Sequence, residues 1–174
     1  TTRHAVNVPG LNHTTTFYYR VKSGAATSPI RSFVKLFGVT SFVRAFGRTG
    51  QDCATGVAVD SFGNLVIVGY FQTSVDMGGG ILTGNGIWEI FIAKYSAVTG
   101  EYLWSKRFGG PGDESISCMV LDASDNIYLG GNFTGIGNFG GSNSTAVGSD
   151  AFLAKYDTNG NYQWDVTFGG PAGD

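Results

Sequence analysis

Charge is scarce in this chain. Asp, Glu, Lys and Arg make up 14% of the 174 residues, against roughly 25% in an average soluble domain. The 11 basic and 13 acidic residues nearly cancel, so the basic face that a nucleic-acid binder requires is missing. Two cysteines are too few for a disulfide framework at this length. No apolar run approaches the roughly 20 residues of a membrane-spanning helix, which argues against insertion. No segment holds a 3.6-residue apolar period for three turns, so helices are not expected. Ser-His-Asp elbows and zinc-ligand spacings are absent. Phe108-Gly109-Gly110-Pro111-Gly112 lacks the Lys-Ser/Thr and following helix of a phosphate-binding loop.

What is abundant is glycine, at 28 residues, and aromatic side chains, at 14%. A hydrophobic fraction of 42% is too high for a disordered chain. These residues are arranged in a repeat. Phe46-Gly47-Arg48, Phe108-Gly109-Gly110 and Phe168-Gly169-Gly170 open three copies, each leading to an acid read as Asp52, Asp113 and Asp174. An alternating strand follows, Gly56 to Asp60 or Cys118 to Asp122, then a short turn and a return strand, Leu65 to Gly69 or Ile127 to Gly131. After a Gly-rich stretch come Ile90 to Tyr95 and Ala151 to Tyr156, a second tight turn, and a last strand carrying Trp104 or Trp164.

Four short strands joined by Gly, Asn and Asp turns predict an antiparallel meander per copy. A period near 60 residues then reads as one propeller-type blade per repeat. The extra length falls at Gln72 to Trp88 and at Thr134 to Asp150, where Gly78-Gly79-Gly80 and Gly140-Gly141 suggest flexible or tightly folded loops. The expected fold is all-β. The expected divisions are 46–107 for repeat 1, 108–167 for repeat 2, 168–174 for the start of a third, and 37–45 for the last strand of a preceding blade.

The recurring Trp-x-x-x-Phe-Gly-Gly-x-x-x-Asp, the Asp-x-x-(Gly/Asp)-Asn turn and the Phe-(Ile/Leu)-Ala-Lys-Tyr strand resemble the bacterial β-propeller repeat family called SBBP, over Gly38 to Asp174. The first copy departs from the pattern at Arg48 and Phe62. The resemblance implies an extracellular or cell-surface setting and no particular catalytic activity. Residues 1–36 differ in kind. His4 to Leu11 followed by Thr14 to Val21 resembles the later half of a fibronectin type III domain, with Pro29 to Leu36 as its closing strand. A similar pattern precedes the metal site of purple acid phosphatases, but their Asp, His and Asn metal motifs are not visible here.

Two blades leave faces uncovered, and bare edges are templates for pairing. The expectation is therefore self-association, or neighbouring repeats of a longer chain, as in a surface fibre with exchanged strands or blades. The leading functional expectation is a non-catalytic structural or adhesion protein. The alternative is a carbohydrate-binding, lectin-like module with glycans as partners, and the third is a non-catalytic part of a larger secreted enzyme.

The candidate ligand-binding residues are Trp88, Trp104 and Trp164, since exposed aromatic rings stack on sugars while buried ones pack sheets. Trp88 has no aromatic counterpart in the second copy, where Ser149 or Asp150 stands. Asp157, Asn159 and Asn161 resemble the start of a calcium loop, the one cofactor considered. The competing reading is a β-turn whose Asp and Asn satisfy local amides. Asn12, Asn132 and Asn143 fit the N-glycosylation pattern, about as often as chance provides. Cys53 and Cys118 do not align and are expected to be buried free thiols.

Overall fold

The computed structural model describes residues 46–48 and 50–170, together with the backbone of two short strands near the N-terminus. Those two, β1 (His4–Val6) and β2 (Phe17–Tyr19), pair antiparallel with His4 opposite Tyr19. Asn12, Pro29 to Leu36, the strand expected over 37–45, and Asp174 lie outside the described residues.

The rest is all-β, with no helix among the described residues. The first four-stranded sheet runs β3 (Asp52–Val59), β4 (Leu65–Phe71), β7 (Glu89–Tyr95) and β8 (Tyr102–Phe108), each antiparallel to its neighbour. The second repeats that order in β9 (Glu114–Leu121), β10 (Ile127–Asn138), β11 (Asn143–Tyr156) and β12 (Tyr162–Phe168). Even the irregularities recur. A register shift interrupts the first pair of strands in both sheets, between Ala54 and Gly56 and between Gly130 and Gly131. Such a bulge adds one residue and increases the local twist.

Three of the turns share one chemical device. Asp60, Asp122 and Asp157 each accept hydrogen bonds from the backbone amides two and four residues on, and from the side-chain amide of Asn64, Asn126 or Asn161. Carboxylate, amide and backbone thus close each hairpin locally. The fourth turn residue takes positive φ: Gly63 at 82°, Gly160 at 73° and Asp125 at 61°. Glycine suits that position, and aspartate is among the few side chains that tolerate it.

The expected Gly-rich loops are instead hairpins. In the first sheet β5 (Ser74–Asp76) pairs with β6 (Ile81–Thr83) as a separate flap. In the second, β10 and β11 continue pairing out to Asn138 opposite Asn143. Each flap is pinned by a buried tyrosine of the third strand: Tyr95 Oη donates to the Met77 carbonyl and Tyr156 Oη to that of Phe139. The flap side chains Val75 and Met77 then join Ile67, Phe71, Phe91, Ala93 and Tyr95 in a core on one face of the first sheet.

The larger core lies between the two sheets. Val66, Val68, Ile90, Ile92 and Phe108 of the first meet Ile116, Ile127, Leu129, Phe133, Phe152 and Tyr156 of the second. Because β4 and β7 have apolar side chains on both faces, they are buried almost throughout. A strand covered on both sides loses the alternation of a half-exposed one.

Candidate functional site

The junction between the sheets is the first candidate, because the side-chain hydrogen bonds there join residues 64 positions apart. Lys94 Nζ lies 2.8 Å from Asp60 Oδ2 and also donates to the carbonyl and hydroxyl oxygens of Thr158, at 3.1 and 3.0 Å. Burial alone would push the Asp60 carboxyl up, but its bonds to Lys94 and Asn64 and the lysine charge hold it below its ordinary value. Asp125 accepts from the Ser61 amide and hydroxyl at 2.8 and 2.6 Å. Phe108 tilts against Tyr156 with ring centroids 4.3 Å apart. The half-buried Trp104 lies against Gly160, where a Cβ would meet its ring. Trp104 thus packs one sheet against the turn of the next.

The second sheet carries three of the junction residues again on the corresponding face. Trp164 stands for Trp104, Phe168 for Phe108 and Lys155 for Lys94. Trp164, Val166 and Phe168 are exposed there, at 39%, 40% and 55%, beside Val120 at 56%. Lys155 sits 3.9 Å from Asp122 Oδ2 and 5.0 Å from the Tyr128 ring, and Trp164 meets that ring edge-on. Bonding to Asn126 outweighs desolvation and takes the Asp122 carboxyl down to about 2. Cys118 is exposed on the first strand of this sheet, against the expectation of burial, and Cys53 is half-buried; both thiols are free.

A pocket of about 400 Å3 opens where the sheets meet at one end. Tyr70 and Trp88 come from the first sheet, and Asp113, Glu114, Ser115, Asn132, Phe133, Thr134 and Ser149 from the second. The two rings contact edge to face, with centroids 5.0 Å apart. Glu114 is anchored below them: its amide donates to the Trp88 carbonyl, and its Oε1 accepts from the Gly110 amide at 3.1 Å. Its Oε2 has no hydrogen-bond partner and is buried. Desolvation, reinforced by Glu89 and Asp113, raises this carboxyl to about 8. Nearby, Glu89 Oε2 lies 2.7 Å from Arg107 Nη1, and its Oε1 accepts from the amides of Asn85 and Gly86.

Of the candidate residues, Trp88 and Asn132 therefore meet in one pocket, while Trp104 and Trp164 lie elsewhere. Asn143 is exposed at the β10–β11 turn, its Oδ1 accepting from Asn138. At Asp157, Asn159 and Asn161 the carboxylate is engaged by turn donors, as at Asp60 and Asp122. Among the described residues no three His, Cys, Asp or Glu side chains group as metal ligands. The recurring acid needs one correction. Asp52 pairs with Phe71 and accepts from the Arg48 amide, whereas Glu114 pairs with Phe133 and accepts from Gly110. The counterpart of Asp52 is Glu114, not Asp113. Counting six residues from Phe46 and from Phe108 would have found it.

No family model matches the chain. It is 26% identical over 150 residues to an uncharacterized WD repeat-containing protein of Acanthamoeba polyphaga mimivirus, an alignment taking in 68% of this chain and 11% of that protein. The chain thus spans about a tenth of that relative's length. The likeness and the two successive four-stranded meanders together describe a β-propeller-like repeat.

Proposed function

We propose that the chain is a non-catalytic repeat module of an extracellular or cell-surface protein, of the SBBP kind and preceded by fibronectin-like strands, serving structure or adhesion by stacking repeats face to face. One observation carries the reading: on the face matching the one the second sheet covers in the first, the second sheet carries the same tryptophan, phenylalanine and lysine. Trp164, Phe168 and Lys155 stand where Trp104, Phe108 and Lys94 make the junction. A further repeat would bring a tyrosine to Phe168, a turn glycine to Trp164 and a turn oxygen to Lys155. Burying such an apolar face is the main favourable term in stacking repeats.

The test uses an extended chain in which residues 111–168 are repeated directly after Gly170. The appended copy carries serine in place of its cysteine, and Cys53→Ser leaves Cys118 as the single thiol. Modification of Cys118 by Ellman's reagent is expected to slow at least about tenfold relative to the 174-residue chain, as protection by a packed face requires. A folded extended chain whose Cys118 reacts at the original rate overturns the reading.

A further inference from the structure

The pocket at the sheet junction breaks the repeat that the junction otherwise obeys. Three of its positions are the same repeat position taken from different sheets or their partners: Tyr70 corresponds to Asn132, Trp88 to Ser149, and Ser115 to Cys53. On the first sheet two of these positions carry aromatic rings and the third a thiol, and on the second they carry an amide and two hydroxyls. The wall from one sheet is therefore aromatic, and the wall from the other is polar. Packing alone does not require that division, since the equivalent positions of a scaffold would serve equally well with like residues.

We propose that this pocket binds a neutral pyranose sugar, with Trp88 stacking on the apolar face of the ring and Asn132, Ser115 and Ser149 bonding its hydroxyls. Among the described residues the side chains of those three polar groups have no hydrogen-bond partner, and all are at least partly exposed. Thr134 Oγ1 accepts from the Asp113 amide at 3.2 Å and keeps its own proton to donate. The Asp113 carboxylate beside it accepts from a hydroxyl. A volume of about 400 Å3 falls within the ordinary range of small-molecule pockets, and a few placed polar groups against aromatic walls are their usual lining.

The same residues disfavour a quaternary ammonium ligand. The Glu114 carboxyl on the floor is raised to about 8 by burial, so at neutral pH it adds little negative charge to the pocket. A quaternary ammonium ion, which has no N–H to donate, would leave the side chains of Ser115, Asn132 and Ser149 without partners, and unpaired polar groups oppose binding. This inference goes beyond the stacking reading and does not depend on it.

Calorimetric titration with the methyl glycosides of glucose, galactose, mannose and N-acetylglucosamine, and an array of neutral oligosaccharides, test it directly. At least one glycoside is expected to bind, and Trp88→Ala and Asn132→Ala are each expected to weaken it at least about tenfold. Trp164→Ala, remote from the pocket, should leave affinity within about twofold. Trp88→Phe, which keeps a ring, should retain part of the affinity and controls for loss of folding. The proposal is overturned if the folded protein binds none of these sugars, or if Trp88→Ala and Asn132→Ala leave binding intact. It is also overturned if tetramethylammonium binds more tightly than every glycoside. Failure here with Cys118 still protected in the extended chain would leave the stacking reading standing.

Discussion

Asp125 occupies a position where the other two turns of its kind have glycine, with φ of 61°. A non-glycine residue there costs on the order of 1 kcal/mol, yet its carboxylate receives two hydrogen bonds from Ser61 of the neighbouring sheet. Bonds to an ionised acceptor contribute about 1.5–3 kcal/mol each at best. Asp125→Gly should therefore lower stability by about 1 kcal/mol in urea unfolding despite relieving the backbone. Glu114 gives a prediction of different form. Its carboxyl is raised from 4.5 to about 8 in the folded chain, so between those values the unfolded state holds fewer protons than the folded one. Stability is fully present below pH 4.5 and falls as pH rises toward 8. Glu114→Gln should remove that slope, as urea midpoints across pH 4–9 would show.

At the scale of the element, the two equivalent lysines separate local from junction chemistry. Lys94 and Asp60 are both buried, and Lys94 also reaches Thr158 of the other sheet. Removing one member of a buried pair strands the other charge, so Lys94→Met should destabilise by about 3 kcal/mol. Lys155→Met removes a longer, partly exposed contact to Asp122, and its unfolding midpoint should stay where it is, since exposed pairs contribute little. The hairpins around these lysines were legible from Asp, Asn and Gly at fixed offsets, because such turns are closed by the residues that form them. The flaps were not. Gly78 to Gly80 and Gly140-Gly141 read as loops, whereas the bonds from Tyr95 and Tyr156 to distant carbonyls hold them folded over the sheet.

For the whole molecule, Trp104 and Trp164 provide the comparison. Trp104 lies in the junction against Gly160, and Trp104→Ala should cost about 2–3 kcal/mol. Trp164→Ala should change the 174-residue chain by less than about 1 kcal/mol, and should cost as much as Trp104→Ala once a further repeat covers it. Thermal unfolding of both variants in the original and extended chains checks this. Equivalence in sequence therefore does not give equivalence in energy, because the second sheet's forward face is uncovered among the described residues.

Residue order alone determined the all-β class, the four-strand unit and the turn positions, because each follows from local alternation and local hydrogen bonding. It also gave the equivalence of Trp104 with Trp164, but not which ring is covered. That depends on which sheet lies against which, a contact between residues some 60 positions apart. The pocket belongs to the same class of fact. Trp88 was visible as an exception to the repeat, and pairing of β4 with β7 brings Tyr70 to it, but Glu114, Asn132 and Ser149 became its neighbours only when the sheets packed, since burial and proximity across a junction are set by tertiary structure.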